Sequence, residues 1–397
     1  MSRAGAERVF RRRVFYIPGY DPFHPRRYRE LYRREGTAQA AISGYALNLQ
    51  PGTEKGRYGW RVTGQGAVAD FEVLVWSDIV KGSMEPSIAA TYGQLLRTAW
   101  VYVASGALLR LMRLRKGPMI AALYPFGMLL LQLGVALLAG WGAGRVVGLL
   151  HPLPGWAAGL ALAVAVLRLF RKHDNRLFAY YLMHDYAYSA RSKGANPPEL
   201  EARMVEFGQA VSEALRGDHD EVLLVGHSSG AHLAVSVLAD LIRAGLPEPR
   251  PALALLTLGQ VVPMVSFLPK ADRLRADLHF LAARDELTWV DVTAPGDGCA
   301  FALCDPVAVT GVSPAGKKWP LVMSAAFTRT LSPERWRALR WRFFRLHFQY
   351  LCAFDRPGDY DYFRITAGPV TLADRYRGRK PSAGRIETPV SGYRSMG

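Results

Sequence analysis

The chain has 397 residues, half of them hydrophobic, and its 50 lysines and arginines exceed its 33 acidic residues to give a formal charge of +17. This length suits one large domain or two smaller ones, and the charge indicates a polyanionic partner. The three cysteines show neither paired nor metal-type spacing, which argues against a disulfide framework and favours a reducing, cytosol-facing compartment. We expect no metal and no cofactor.

The N-terminal part alternates apolar strands with glycine and proline turns. Residues 1–12 form a basic segment with no apolar region behind it, so no signal peptide is expected. Residues 13–116 are interpreted as the first part of a folded domain. Strands are predicted over residues 13–17, 45–49, 58–63 and 71–76, and a basic helix over residues 25–41.

Residues 117–170 are predicted to form a transmembrane helical hairpin. Residues 117–144 are 28 in number and carry no formal charge, and residues 146–167 give a second uncharged run of 22. A helix of about 20 apolar residues crosses the hydrocarbon core of a bilayer, so the first run is long enough. The second run is shortened by the prolines at 152 and 154, and whether it spans fully stays open.

Basic residues flank this hairpin on both sides. They are Arg110, Arg113, Arg115 and Lys116 before it, and Arg168, Arg171, Lys172 and Arg176 after it. Basic flanks stay on the cytoplasmic side, so both ends should face the cytoplasm and lie against anionic lipid headgroups. The alternative is a buried helical pair in a soluble lid. Nucleic acid is not expected as a partner, because no nucleic-acid-binding motif is found.

The most informative motif is the pentapeptide 226–230, with the pattern Gly-x-Ser-x-Gly. An apolar run at 221–225 precedes it and predicts a buried strand, and an apolar run at 231–239 follows it and predicts a helix. Strand, tight turn and helix together are typical of a nucleophile elbow, in which Ser228 is exposed above the edge of the sheet. The alternative is a structural Gly/Ser turn.

The C-terminal half, residues 171–367, is interpreted as the second part of the same domain. Helices are predicted over 170–191, 198–216 and 270–283, and strands over 252–258 and 287–293. Strands that alternate with helices predict an α/β fold, with a mostly parallel sheet and helices on both faces. Residues 368–397 are expected to form a loose basic tail.

A serine hydroxyl becomes a good nucleophile only when a histidine, itself oriented by a carboxylate, takes its proton. Asp297 is the preferred acid, because it lies in a turn directly after a predicted strand. Asp291 is the rival within that strand, and Asp305 is interpreted as a turn residue. His347 is the only histidine C-terminal to Asp297 and is the predicted base. The alternatives are that Asp297 only caps a turn and that His347 belongs to an aromatic core.

The developing oxyanion also requires hydrogen-bond donors. The backbone N–H of Ser229, the residue after the nucleophile, is one candidate. The second is the N–H of Tyr20 in the early Pro-Gly loop, where Gly19 permits close approach of the backbone. The alternative for this loop is an ordinary β-to-α turn. His227 is expected to shape the elbow.

The chain order Ser228, Asp297, His347, with an early Pro-Gly loop, resembles the α/β-hydrolase superfamily of esterases and lipases over residues 13–367, apart from the hairpin. The resemblance implies a Ser-His-Asp serine hydrolase that cleaves an ester or thioester through an acyl-enzyme. Two departures stand out: the leading antiparallel strands are expected to be missing, so that the fold is N-terminally truncated, and a hairpin is inserted before the elbow.

Together these features predict a membrane-anchored serine hydrolase with its catalytic domain in the cytoplasm, acting on an amphiphilic or lipid ester. An acyltransferase that uses the same triad and a catalytically silent module that binds lipid or protein partners are the alternatives.

Overall fold

The structure, a computed structural model, describes residues 10–52, 57–84 and 87–397 and centres on one eight-stranded sheet. The strands run in the spatial order β2-β3-β4-β1-β5-β6-β7-β8. They are β1 (Phe10–Ile17), β2 (Asn48–Pro51), β3 (Gly59–Gly64), β4 (Ala67–Val73), β5 (Glu221–His227), β6 (Ala252–Leu258), β7 (Leu287–Thr293) and β8 (Leu321–Ser324).

Helices connect these strands and cover the sheet. They are α1 (Arg26–Ser43), α2 (Ser77–Ser83), α3 (Ile88–Ala104), α4 (Ala107–Met112), α5 (Lys116–Gly148), α6 (Pro152–Lys172), α7 (Asp174–Leu177), α8 (Ala179–Arg191), α9 (Pro198–Ala214), α10 (Gly230–Arg243), α11 (Val262–Ser266), α12 (Asp272–Ala282), α13 (Pro306–Thr310), α14 (Phe327–Thr330), α15 (Pro333–Leu339), α16 (Phe343–His347), α17 (Tyr362–Ala367) and α18 (Leu372–Arg375), with a 3-10 turn at Phe348–Leu351.

The sheet is mostly parallel, as predicted. Strand β1 pairs in parallel with both β4 and β5, and β5 to β8 continue in the same direction. Strands β2, β3 and β4 form an antiparallel meander at one edge. Strand β3 alone runs opposite to the other seven described strands. It follows β1 in the chain and is not a leading strand, so the expectation that leading antiparallel strands are missing is not contradicted.

Alternation along the strands divides the core into two layers. In β1, Phe15 and Ile17 join the apolar cluster formed with α9, α10 and α12, whereas Val14 and Tyr16 join the cluster formed with α1 and α17. Neighbouring side chains of a strand point to opposite faces, so each β1 residue is committed to one layer. The result is an α/β fold with helices on both faces of the sheet.

The C-terminal segment is bound to the sheet by a buried ion pair. Arg12 donates from Nε to Glu221 Oε2 (2.5 Å) and from Nη1 to the carbonyl oxygen of Gly368 (2.6 Å). Glu221 Oε1 in turn accepts a hydrogen bond from the N–H of Leu372 (2.6 Å). Farther along, the Ser382 N–H donates to the Val322 carbonyl (2.9 Å). Residues 368–397 therefore pack on the domain, in contrast to the expected loose tail. Their backbone groups form hydrogen bonds with the backbone of β8 and with the side chains of Arg12 in β1 and Glu221 in β5.

Helices α5 and α6 form the predicted hairpin, with 33 and 21 residues. At 1.5 Å per residue α5 is about 50 Å long, more than the roughly 30 Å of a bilayer core. Glycines line the contact: a Cβ on Gly140 would lie 2.6 Å from the Gly159 carbonyl oxygen, and one on Gly155 would lie 2.7 Å from that of Gly144. Small residues four positions apart let membrane helices approach this closely.

Both hairpin helices are long and apolar enough to span a membrane. Few of their side chains are buried, unlike those of a core helix in a soluble protein, and Trp156 of α6 is 82% exposed. The apolar surface continues onto the domain along α3 and α4, through Leu96, Trp100 and Leu109. At its start α5 packs against α3 and α8 through a small cluster that includes Leu95, Leu129 and Met183.

Candidate active site

Ser228 lies in a strained turn between β5 and α10. Its φ is +56°, a left-handed conformation that residues other than glycine rarely adopt. The turn is also too tight for side chains on either glycine of the motif. A Cβ on Gly226 would lie 2.6 Å from the Gly230 carbonyl oxygen, and one on Gly230 would lie 2.2 Å from that of Ile17. This strand–turn–helix has the conformation of a nucleophile elbow.

The loop after β1 runs directly beside Ser228. A Cβ on Gly19 would lie 2.9 Å from Ser228 Cβ and 3.4 Å from its Oγ. Trp76 Nε1 donates to the Pro18 carbonyl (2.9 Å), which fixes the loop. Within the described part of the chain, the backbone N–H groups of Tyr20 and Ser229 donate to no other protein group. Both residues line the pocket that contains Ser228, so the structure brings the predicted oxyanion donors to the nucleophile.

Asp297 and His347 are joined by a buried hydrogen bond. The Nδ1–H of His347 donates to Asp297 Oδ2 (2.7 Å), and the carboxylate also accepts the Tyr350 hydroxyl (3.0 Å) and the Cys299 N–H (2.8 Å). Burial raises the pKa of Asp297, but the His347 charge and these hydrogen bonds outweigh burial and hold that pKa below its usual value. Asp297 is therefore an ionised acceptor that fixes the tautomer of His347.

His227 holds His347 from the other side. Burial and the neighbouring His347 lower the pKa of His227 to about 3, so its ring is neutral. Its Nε2 lies 3.0 Å from the carbonyl oxygen of His347, to which it can only donate. The other ring nitrogen of His347, Nε2, is buried and has no hydrogen-bond partner among the described residues. It remains available on the wall of the pocket that also exposes Ser228.

The rival acids lie elsewhere. Asp291 sits inside β7, where it accepts a hydrogen bond from Thr257 Oγ1 (2.6 Å), and burial raises its pKa to about 8. Asp305 caps α13 by accepting the N–H groups of Val307 and Ala308. Neither carboxylate contacts a histidine in the described structure.

Asp297, Cys299 and His347 have ligand atoms within 4.8 Å of one another, a grouping that could hold a metal ion. The chemistry of these donors fits a proton relay better. His347 already uses Nδ1–H as a donor to Asp297, and burial together with the Asp297 charge raises the pKa of the Cys299 thiol well above its usual value. Thiols bind metals as thiolates, which this environment disfavours.

Ser228 and His347 line one pocket, whose cavity volume is about 80 Å³. Its walls come from the β1 loop, the elbow, α8 and the His347 region, and Pro118 of α5 closes one side. The sequence analysis missed Tyr350, which supports Asp297, and Asp185, an acidic residue of α8 in the pocket wall. No sequence motif marks either position. The one available signal is that Tyr350 follows His347 by three residues, a spacing that puts two side chains on the same side of a helical turn.

No protein-family model matches this chain, and no curated protein or solved structure was found to be similar to it.

Proposed function

We propose that the protein is a serine hydrolase that cleaves an ester or thioester through an acyl-enzyme. The observation that carries this proposal is the buried Asp297–His347 hydrogen bond in the same pocket as Ser228, whose backbone is held in a strained turn. Strain of this kind persists where the surroundings impose it, and it is typical of functional sites. A structural Gly/Ser turn has no need of an oriented histidine beside it.

In the proposed reaction each step is assigned to a named residue. Ser228 Oγ attacks the acyl carbon while His347 Nε2 takes its proton, and the Asp297 carboxylate stabilises the imidazolium that forms. The Tyr20 and Ser229 N–H groups donate to the oxyanion. His347 then protonates the leaving alcohol or thiol, and a water molecule, deprotonated by the same nitrogen, releases the acyl group. Unpartnered donors of this kind stabilise charge that exists only during the reaction.

The chain topology supports a place in the α/β-hydrolase superfamily. The nucleophile follows β5, the acid follows β7 and the histidine follows β8, in the order Ser, Asp, His that this superfamily uses. The second oxyanion donor comes from the loop after β1, the strand next to β5, which matches the source of that donor in the superfamily.

We also propose that the hairpin anchors the enzyme in a membrane, with its domain on the cytoplasmic face. Exposed apolar side chains lie along both helices. The end of the hairpin that joins the domain is flanked by exposed basic residues, such as Arg113, Lys116, Arg168 and Lys172. The pocket wall includes the start of α5, so an amphiphilic ester partitioned into the bilayer has a short path to Ser228. This favours a lipid-like substrate.

A fluorophosphonate probe should label the wild-type protein in membranes and should not label Ser228→Ala. The probe forms a covalent bond to an activated serine oxygen, so its signal tests the nucleophile without knowledge of the substrate. Ser212→Ala, a serine of α9 far from the pocket, is the matched control and should label like the wild type. Equal labelling of wild type and Ser228→Ala, or no labelling of either, would leave the catalytically silent module as the better account.

The proposed topology predicts opposite access to two introduced cysteines. A membrane-impermeant maleimide added to intact cells should react with Leu150→Cys at the hairpin tip, where the native side chain is 90% exposed. Asp218→Cys on the domain, where the native side chain is 77% exposed, should react only after the membrane is opened. The parent chain, whose three native thiols are free, sets the background. The reverse pattern would contradict the cytoplasmic placement of the domain.

A further inference from the structure

Asp185 places an unpaired carboxylate in the wall of the pocket that holds Ser228 and His347. It lies on α8, and it makes no hydrogen bond or ion pair with any residue that the structure describes. The other pocket carboxylate, Asp21, differs in this respect, because Tyr28, Arg27 and the Phe23 N–H all contact it. Asp185 thus stands out as an acid that the fold leaves open to a ligand.

Four tyrosines line the same pocket as this carboxylate, and the hydroxyls of three of them form hydrogen bonds with other groups. They are Tyr20, Tyr102, Tyr181 and Tyr186. Burial raises the pKa of each hydroxyl, and the charge of Asp185 adds to the rise, so all four tyrosines lie close enough to interact electrostatically with this carboxylate. Tyr102 donates to the Met264 carbonyl (2.9 Å), Tyr181 donates to the Tyr20 carbonyl, and Tyr20 pairs with Ser83 Oγ (2.7 Å). The rings therefore offer Asp185 aromatic surface but leave it without a donor.

Among the residues that the structure describes, no lysine or arginine pairs with Asp185. The charged group that acts on it there is His347, and that ring carries a full charge only during proton transfer. Asp185 is half-buried, and this partial burial without a partner raises its pKa to about 7. A carboxylate in the wall of the pocket that the described residues leave without a counter-charge can be compensated by a cation that arrives with the ligand.

We infer that Asp185 and the tyrosine rings around it bind an organic ammonium group, quaternary or protonated, on the substrate or leaving group of the hydrolase. This inference rests on the proposed function and names the class of ester that the pocket accepts. A cation is attracted to the faces of aromatic rings, and a carboxylate at the same site supplies the counter-charge. A bound cation also favours the ionised form of Asp185, so ligand binding and deprotonation reinforce each other.

Choline and 3,3-dimethylbutan-1-ol provide a matched pair of probes, because they have the same shape and differ in having a charged nitrogen or a neutral carbon. Saturation-transfer NMR on the full-length protein in detergent gives the Kd of each without requiring catalysis. We expect choline to bind the wild type at least about tenfold more tightly than the neutral alcohol, and Asp185→Asn to reduce this ratio to about threefold or less, since the rings alone retain only a weak preference for the cation. Asp285→Asn, which removes an exposed carboxylate outside the pocket, should keep the wild-type ratio.

Protection of Ser228 locates the bound cation. Choline should slow fluorophosphonate labelling of the wild type at concentrations well below those required of 3,3-dimethylbutan-1-ol, and this difference should be several-fold smaller in Asp185→Asn. Equal Kd values for the two probes in the wild type, or a preference for choline that is undiminished in Asp185→Asn, would overturn the inference and leave the hydrolase intact. If the fluorophosphonate fails to label the wild type even when neither choline nor the neutral alcohol is present, the proposed function is overturned instead. The ratio of the two Kd values measured by NMR still tests the cation site in that case.

Discussion

Asp297→Asn should lower kcat by about 10⁴-fold, the loss expected when an amide replaces the carboxylate that orients a catalytic histidine. The amide can present its NH₂ to His347 Nδ1, which reverses the direction of the 2.7 Å hydrogen bond and places the proton on Nε2. His347 could then no longer accept the Ser228 proton. The measurement is steady-state hydrolysis of an activated ester such as a p-nitrophenyl ester, with intact folding verified by circular dichroism.

Asp291→Asn is the matched control for this prediction. Burial raises the pKa of Asp291 to about 8, so near pH 7 this carboxyl group is mostly protonated, and an asparagine has nearly the same shape and polarity. Its contact with Thr257 lies within the sheet and not at His347. We expect kcat to remain within about threefold of the wild type. A large loss in Asp291→Asn with little loss in Asp297→Asn would reverse the assignment of the acid.

Gly230→Ala should destabilise the fold by at least about 3 kcal/mol, because its Cβ would lie 2.2 Å from the Ile17 carbonyl oxygen and 2.6 Å from that of Pro18. Both atoms belong to backbone that cannot rotate away. For a chain of this size the unfolding entropy is about 0.8 kcal/mol/K, so the melting temperature should fall by roughly 4 °C. Relief of the clash would move the β1 loop from Ser228, so ester hydrolysis should fall as well.

Gly208→Ala is the same substitution at a site with the opposite expectation. Gly208 lies in helix α9, and no atom lies within 4 Å of a Cβ added there. Alanine is favoured over glycine in a helix by about 1 kcal/mol, so the melting temperature should rise slightly. Equal losses of stability in the two variants would show that the elbow packing described above is wrong.

The sequence was most informative where chemistry and local geometry restrict the choice of residues. The glycines of the elbow follow from a turn that no Cβ can enter, and apolar runs of five to seven residues predicted β5, β6 and β7. Ser228 and Asp297 were predicted from the strands before them, and His347 was predicted as the only histidine after Asp297. The structure brings Asp297 and His347 into contact and puts Ser228 in the same pocket. That these residues catalyse a reaction stays a prediction.

Features that depend on distant parts of the chain were not predictable in this way. Strand β8 has four residues, too few for a periodic signal. The position of residues 368–397 depends on the Arg12–Glu221 pair, which lies more than 130 residues earlier, so their polar composition wrongly indicated a loose tail. Asp185 was missed because α8 shows an ordinary amphipathic pattern, and only the fold reveals that its carboxylate has no partner.

The first helix of the hairpin has two roles, and this limits how the protein can be shortened. Pro118 lines the pocket, and Leu129 packs with Met183 on α8, the helix that carries Asp185. A soluble version made by deleting the whole of 117–170 would lose part of the substrate chamber and uncover apolar surface on α8. A cut that keeps α5 as far as Ala136, the last buried residue before the glycine contacts, retains that packing. The hairpin and the pocket thus share structural elements, so a detergent or lipid that disturbs the hairpin should also alter the shape of the pocket around Ser228.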